Sequence, residues 1–350
     1  MTLSELAGGC IMTGIRGATL DDPVCREDVE LLKKHCVKNV ILFDVHLPTG
    51  GLRNIVNEDQ VRQLTDDLRH ELGDDIIIGI DQEGGEVNRL TNFKDPAVSS
   101  MLSARMQGVM TNQQLATTIE PVAKALSDAG INLTFAPCVD LEINPDNPII
   151  AGKGRSLGRD PECVASAAST IIKTYHAHGV RCCLKHFPGH GSTTIDTHHG
   201  LADITTTYVP EESGVFSALI QAMQSGNIPH AAIMSGHLIH RSFDPCKPAS
   251  LSASHIAKHL RNKHKFDGLV FTDSLDMKAI ELKWNAGDAS KLVILSGADV
   301  ALHGYNAPEN VAHPAAQMHQ ALVDMLGMMH PDAVERLKAL NLRRRHAMLE

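Results

Sequence analysis

The stretch Asp160–His186, DPECVASAASTIIKTYHAHGVRCCLKH, contains the signals of one helix and one strand. An acid followed by proline is typical of a helix start, and the apolar residues that follow recur at helical spacing. This pattern predicts a helix over Pro161–His178 that ends at Gly179. The short apolar run Arg181–Lys185 then predicts a buried strand. The stretch therefore predicts one helix–strand unit.

The same alternation continues on both sides of this stretch. Helical spacing also appears in Glu58–Leu72 and Pro210–Ser225, and Ser252 resembles the N-cap of a further helix that runs to about Lys265. Eight short apolar runs predict strands: Cys10–Thr13, Asn39–Phe43, Ile76–Ile80, Ile131–Phe135, Arg181–Lys185, Ala231–Met234, Leu269–Thr272 and Ala298–Leu302. Eight such repeats over roughly 300 residues predict a (β/α)8 TIM barrel of the α/β class.

The alternative of a doubly wound open sheet is less well supported. Such a sheet usually has a glycine-rich phosphate turn after its first strand, and this sequence has none there. We therefore expect a single domain over residues 1–350, with the barrel at about 6–312. The tail at about 313–350 is expected to form one or two further helices.

Composition excludes several classes of partner. The 350 residues include 41 acids and 32 bases, which gives a net charge of −9, and the longest basic run is Arg343–Arg345. This argues against a nucleic-acid or anionic-membrane surface. The first ten residues lack the basic and apolar regions of a signal peptide, and no run approaches the ~18 apolar residues of a membrane span. Eight scattered cysteines fit free buried thiols in a reducing cytoplasm.

Two long loops follow predicted strands four and five. They cover about 136–160 and 186–209 and have no helical pattern. Long loops in a compact domain are usually functional, and in a barrel they leave the carboxyl ends of strands, where active sites lie. Polar residues at these ends are expected to converge: Asp81, Asp140, Lys185, His186, His237 and Asp273. For Asp273 the structural alternative is an N-cap, and Asp276 is expected to be an acid at a helix start.

The loop Leu184–Gly200, LKHFPGHGSTTIDTHHG, is the richest in ionisable residues. One interpretation is a zinc site made by these side chains: His186, His190, His198, His199 and Asp196. Their spacing matches no short zinc signature, and Lys185 would place a cation beside the metal. A structural role in a tight glycine-flanked turn is the alternative for His190.

Asp196 and His198 are two positions apart, so in an extended segment their side chains point the same way. The carboxylate can then hydrogen-bond one imidazole nitrogen and make the ring a general acid/base near neutral pH. Asp273, at another strand end, can act as a nucleophile. An acid/base and a carboxylate nucleophile are what retaining glycoside hydrolysis requires.

An ordered series of motifs resembles glycoside hydrolase family 3, in its β-N-acetylglucosaminidase (NagZ-like) branch. The resemblance runs from about Leu6 to about Leu302. The motifs are Ile80–Leu90 (IDQEGGEVNRL), Asn132–Leu141 (NLTFAPCVDL), Asn144–Ile149 (NPDNPI), Gly154–Pro161 (GRSLGRDP), Lys185–Gly191 (KHFPGHG), Asp196–Leu201 (DTHHGL), Pro248–Ser252 (PASLS) and Phe266–Met277 (FDGLVFTDSLDM).

The resemblance implies a role for each matching residue. Asp273 would be the nucleophile, and His198, oriented by Asp196, the acid/base. The hydroxyls and N-acetyl group of the sugar would be held by four residues: Asp81, Arg155, Lys185 and His186.

The sequence also departs from the family pattern. Glu86 stands where the family usually has arginine, which leaves substrate detail open, and Thr197 replaces the usual serine. The chain ends without the second α/β domain of family β-glucosidases, which disfavours that activity.

The resemblance implies a cytoplasmic retaining exo-β-N-acetylglucosaminidase without a cofactor or metal. Its substrate would be a small GlcNAc-containing saccharide, such as a cell-wall fragment. Transfer to phosphate, or action on another β-glycoside, is the alternative within the fold. A zinc-dependent hydrolase and a non-catalytic sugar-binding protein are the alternatives of other classes. The oligomeric state is left open.

Overall fold

The computed structural model describes residues 1–197, 200–308 and 310–349. Within them, eight parallel strands form a barrel: Ile11–Gly14 (β1), Asn39–Leu42 (β2), Ile77–Ile80 (β3), Leu133–Thr134 (β4), Arg181–Phe187 (β5), Ala232–Ser235 (β6), Val270–Thr272 (β7) and Ala301–His303 (β8). Each strand pairs with the next in the chain from β1 to β7, and β1 pairs with β8. A parallel bridge from Phe271 to Val300 completes the ring. The predicted (β/α)8 barrel is confirmed.

Helices surround the barrel. They are Leu3–Gly9 (α1), Pro23–Lys34 (α2), Glu58–Leu72 (α3), Pro96–Ser99 (α4), Ala104–Gln107 (α5), Asn112–Asp128 (α6), Pro161–Ala177 (α7), Pro210–Gln224 (α8), Lys278–Glu281 (α9), Ala286–Ser296 (α10), Ala315–Met328 (α11) and Pro331–Leu349 (α12). A single 3₁₀ turn, Ala249–Leu251, precedes a wide helix, Ser254–Lys263, in which backbone bonds join residues five apart.

Local capping explains why the helix bounds were predictable. Asp160 accepts hydrogen bonds from the backbone N–H groups of Glu162 and Cys163, and Pro161 opens α7. Asn57 caps α3 by accepting from the Gln60 N–H.

All eight predicted strands are present, although β8 begins three residues later than predicted.

The predicted N-cap role of Ser252 is wrong. Its hydroxyl donates to a carboxylate oxygen of Asp244 at 2.7 Å, and the helix that follows begins at Ser254 without a side-chain cap. The serine is fully buried, so its hydroxyl needs an acceptor and takes the long-range carboxylate.

The core has two layers, as the strand period of two requires. Cys183 points into a cluster inside the barrel with Phe135 and Phe271, whereas its neighbour Cys182 packs against the outer helices. All eight cysteines lie in the described part of the chain and are free thiols. Five are buried as predicted, whereas Cys36 is half-buried and Cys163 and Cys246 are exposed, so the prediction of burial is wrong for these three. None of the described helices is both long enough and apolar enough to cross a membrane.

The tail forms two helices, within the predicted range. Helix α11 packs beside α10 and α1 in the outer ring. Helix α12 lies across the amino ends of the strands, where Met348 enters the inner cluster and the Met348 carbonyl accepts from Arg181 at 2.8 Å. Arg345 donates to Asn39 at the start of β2 at 2.5 Å. The amino end of the barrel is thereby covered, and the carboxyl end stays open.

Candidate active site

A cleft of about 1200 Å³ opens at the carboxyl ends of the strands. Its walls include polar residues at or beyond the carboxyl ends of different strands: Asp81, Glu83, Arg155, Lys185, His186, Asp196 and Asp273. Seven polar side chains from distant parts of the sequence therefore face one cavity, at the end of the barrel where active sites lie.

A buried ion cluster forms one wall of this cleft. Lys185 places its ammonium nitrogen 2.5 Å from Asp81 and 2.7 Å from Glu83. Arg155 makes two 2.8 Å bonds to the same Glu83 carboxylate. Two acids thus hold two cations, and Asp81, at 21% exposure, is the member most open to the cleft.

Mutual pairing keeps Glu83, Lys185 and Arg155 charged despite their burial. Burial alone would raise the pKa of Glu83, but Arg155 and Lys185 outweigh it and hold the pKa of that carboxyl well below its usual range. Burial would lower the pKa of Lys185, but Asp81 and Glu83 raise it above the ordinary lysine value. The cluster therefore presents fixed donors and acceptors at neutral pH.

His186 is oriented by a second buried acid, Asp140. The Nδ1 atom of His186 lies 2.6 Å from Asp140 Oδ2, and the carboxylate also accepts from the backbone N–H groups of His186 and His190. Burial opposes ionisation of Asp140, but His186 and these bonds lower its pKa to about 2. Because the ionised Asp140 accepts the Nδ1 proton, the Nε2 side of the ring faces Arg155 and the cleft.

His190 has the structural role considered for it. It is buried, and its two ring nitrogens lie 2.9 Å from the hydroxyl of Thr193 and 3.3 Å from that of Thr197. Asn147 donates to the carbonyl of His190 at 2.8 Å. Burial lowers the pKa of His190 to about 4, so the ring is neutral at pH 7. These bonds tie the turn after β5 to the segment that carries Asp196.

Asp273 follows β7 and faces the cleft. Its backbone N–H donates to the Ser235 carbonyl at 2.9 Å, and its carboxylate accepts from the Ser274 N–H at 2.8 Å. The next helix begins at Lys278 with Met277 at the N-cap, so the N-cap role considered for Asp273 is not observed. The chain geometry instead fixes this carboxylate at the edge of the cavity.

The predicted acid/base pair is described only in part. Asp196 lines the cleft, half-buried. His198 and His199 lie outside the described residues. Thr197, between Asp196 and His198 in the sequence, is buried against His190.

Cys138, Asp140 and His186 place potential metal-ligating atoms within 4.8 Å of one another. However, Asp140 and His186 are 2.6 Å apart, whereas two ligands roughly 2.0–2.1 Å from a tetrahedral zinc ion would be separated by about 3.3 Å. The Cys138 thiol also donates to Asp140 at 3.2 Å, and burial raises the pKa of that thiol. This cluster is a hydrogen-bonded unit rather than a preformed zinc site.

The sequence does not indicate the contacts of two buried acids, Glu83 and Asp140. Glu83 lies inside a quoted motif, but nothing local indicates that it holds both Arg155 and Lys185. Asp140 was identified at a strand end, yet its contact with His186 depends on the barrel. His237, also identified, is buried away from the cleft wall and bonds to the Ser250 hydroxyl and the Ser274 carbonyl, each at 2.8 Å.

Both residues that depart from the family pattern, Glu86 and Thr197, line the cleft. Glu86 is exposed and lines the cavity, as does Arg89, which pairs with Asp44 at 3.3 Å. An acid in place of the family arginine therefore changes the charge of the cavity wall.

Comparison with known proteins shows the family to which the chain belongs. Residues 15–338 match the family described as glycosyl hydrolase family 3 N terminal domain. The chain is 30% identical over 293 residues to the beta-hexosaminidase A of Pseudoalteromonas piscicida, covering 78% of this chain and 46% of that protein. The chain thus spans about half the length of that relative.

Other relatives match along most of their length. A beta-hexosaminidase of Tolumonas auensis is 30% identical over 307 residues, which cover 87% of this chain and 85% of that protein. The crystal structure of the beta-N-acetylhexosaminidase from Beutenbergia cavernae superposes with a TM-score of 0.81 at 26% identity. That match covers 100% of this chain and 98% of the other.

Proposed function

Because the chain belongs to glycosyl hydrolase family 3, we propose that it is a retaining exo-β-N-acetylglucosaminidase with Asp273 as its nucleophile. The observation that carries this proposal is the shared cleft, in which Asp273 at the end of β7 faces the buried ion cluster of Asp81, Glu83, Lys185 and Arg155. Relatives described as beta-hexosaminidases support the choice of sugar.

The ion cluster suits recognition of one terminal sugar. Asp81 is the most exposed acceptor and can bond vicinal hydroxyls. Lys185 and Arg155 can donate to hydroxyl and carbonyl oxygens, and the Nε2 atom of His186 can accept from a hydroxyl. Because these groups are held by Glu83 and Asp140, little side-chain freedom is lost when the sugar binds. The sugar is then positioned with its anomeric carbon facing Asp273.

In the proposed reaction, Asp273 attacks the anomeric carbon while His198 protonates the departing glycosidic oxygen. Water, deprotonated by the same imidazole, then releases the sugar from the glycosyl-aspartate, so the configuration is retained. The pairing of His198 with Asp196 rests on their spacing in the sequence. A histidine in place of a second carboxylic acid avoids like-charge repulsion with Asp273.

The proposed substrates are small glycans or cell-wall fragments that end in β-linked GlcNAc, and the proposed location is the cytoplasm. A non-carboxylate acid/base also suits an anionic acceptor, so phosphate is the alternative to water.

The test is turnover of p-nitrophenyl β-GlcNAc by the wild type and by Asp273→Ala. We expect the variant to lose at least a thousandfold in kcat, and added azide to yield the α-glycosyl azide because azide then occupies the place of the nucleophile. Residual activity within about tenfold of the wild type would exclude Asp273 as nucleophile. Running the wild type with and without phosphate, and identifying GlcNAc or its 1-phosphate as the product, decides the acceptor.

A further inference from the structure

The cleft continues beyond the ion cluster toward the β7–β8 side of the barrel. Its volume of about 1200 Å³ exceeds the roughly 300–1,000 Å³ of typical small-ligand pockets, so there is room for more than one sugar ring. The wall on this side includes Asp276, Trp284, His303 and Tyr305. None of these residues belongs to the proposed site for the terminal sugar.

Trp284 supplies an apolar surface in this part of the cleft. It is the only tryptophan in the 350-residue chain, and it lies half-buried in the turn between α9 and α10. The backbone N–H of Trp284 donates to the Ile280 carbonyl at 3.0 Å, and the side chain packs partly against the core. The Lys283 ammonium lies 4.8 Å from the ring centroid, on an exposed side chain that an incoming ring can displace.

His303 supplies a hydrogen-bond donor. Its Nδ1 atom accepts from the Tyr305 backbone N–H at 3.2 Å, which places the proton of the neutral ring on Nε2. His303 ends β8, next to the strand that Asp273 follows, and its side chain lines the cleft. The tautomer is thus set by the backbone before any ligand binds.

Asp276 supplies an acceptor whose position is fixed. One of its carboxylate oxygens accepts from the Ser274 hydroxyl at 2.6 Å, and that hydroxyl in turn accepts from the Gly304 N–H at 2.7 Å. The other oxygen lies 3.8 Å from His303 Nδ1. Because Ser274 directly follows Asp273, this acceptor is held to the same turn as the proposed nucleophile.

We infer that Asp276, Trp284 and His303 form a second subsite, which binds the pyranose ring on the leaving-group side of the cleaved bond. A rigid acceptor, a donor of fixed tautomer and an aromatic surface are the groups that a hydroxylated ring with one apolar face requires. Two acids, Asp276 and Glu281, are balanced here by Lys278 and Lys283, so the subsite suits an uncharged ring. This inference rests on the proposed function.

The test compares two substrates that differ only beyond the cleaved bond. GlcNAc β-fluoride has no second ring, whereas the β-1,4-linked GlcNAc disaccharide has one. Trp284→Ala should lower kcat/KM for the disaccharide at least tenfold more than for the fluoride, and Trp284→Phe should lose less because it keeps an aromatic face. Leu282→Ala, two residues away at an exposed site, is the matched control and should not change the ratio.

A binding measurement separates this inference from the proposed function. In Asp273→Asn, the fluorescence of the single tryptophan should change with the disaccharide more than with free GlcNAc. Equal losses on both substrates, or equal fluorescence changes with both sugars, would overturn the second subsite. Failure of the wild type to turn over either substrate would instead overturn the proposed function, while the fluorescence result would still decide the subsite.

Discussion

Glu83 and Arg155 form a buried ion pair through two parallel bonds of 2.8 Å, and the sequence separates them by 72 positions. The same carboxylate also pairs with the Lys185 ammonium at 2.7 Å. One acid therefore orients both cations that are proposed to hold the sugar, although Glu83 itself is only 4% exposed. In the proposed enzyme, Glu83 acts through its neighbours as a positioning residue.

Glu83→Gln keeps the size of the side chain but removes its charge. Lys185 then keeps its charged partner Asp81, whereas Arg155 loses the carboxylate that holds it, so we expect KM for p-nitrophenyl β-GlcNAc to rise at least tenfold. Removing one partner of a buried pair also costs about 3 kcal/mol in unfolding free energy. Glu71→Gln, which breaks the exposed pair with Lys33, is the control and should change neither quantity appreciably. A wild-type KM in Glu83→Gln would show that the cluster does not position the sugar.

Asp140→Asn tests the orientation of His186. The Asp140 carboxylate uses both oxygens to accept from His186 Nδ1 and from the backbone N–H groups of His186 and His190. An amide has only one acceptor oxygen, so it cannot make all of these bonds and the ring loses its fixed tautomer. We expect kcat/KM to fall by about tenfold or more, as for other partners that orient a functional histidine. Cys138→Val, which removes only the weak thiol donor to Asp140, is the control. Equal activity of both variants would argue that the orientation of His186 does not matter.

Buried histidines should make the fold sensitive to acid. Burial lowers the pKa of His255 to about 4, and both of its ring nitrogens lack partners among the described residues. The unfolded chain therefore binds more protons between about pH 6.5 and 4, and the unfolding free energy falls as the pH falls through that window. The drop in unfolding free energy between pH 7 and pH 5, measured by urea unfolding, should be about 2 kcal/mol smaller in His255→Leu than in the wild type. His330→Leu, at a 75% exposed site, should leave the loss unchanged.

Glu212 should make the unfolding free energy fall as the pH rises, which is the opposite of the effect of His255. It is buried beneath the turn after β5 and accepts from the Ser192 N–H at 3.1 Å. Burial raises the pKa of Glu212 to about 7, so the folded state binds more protons than the unfolded state between about pH 4.5 and 7. Its stabilising contribution is lost as the pH rises through this window.

Glu212→Gln should therefore raise the unfolding free energy at pH 8 by about 3 kcal/mol more than at pH 5. Glu211→Gln, the exposed neighbour on the same helix, is the matched control. A stability gain that is the same at both pH values would show that Glu212 does not titrate in this range.

The fold was predictable because its signals are local. Asp160 and Asn57 cap helices whose starts the sequence indicates, and the apolar strand runs are short and regularly spaced. Ser252 shows the limit of this reasoning. A serine before a helical pattern predicts a cap, but the tertiary fold brings Asp244 within reach and the hydroxyl bonds there instead.

The candidate site was predictable only where strand ends mark it. Asp81 and Asp273 directly follow strands, Lys185 and His186 lie near the carboxyl end of β5, and all four line one cleft, as a barrel requires. Arg155 came from the resemblance alone, because it lies in a long loop without periodicity. The role of Glu83 depends on contacts across 72 and 102 positions, which no local pattern encodes.

Helix α12 also bears on how this chain folds. Arg345 meets Asn39 across 306 positions, and Arg181 meets the Met348 carbonyl across 167. Contacts between segments so distant in sequence require large loops to close, which slows folding. Until α12 packs against the barrel, the amino ends of the strands leave the apolar interior, into which Met348 packs, exposed to solvent. Truncation before Pro331 should therefore favour aggregation during refolding rather than yield a less active enzyme.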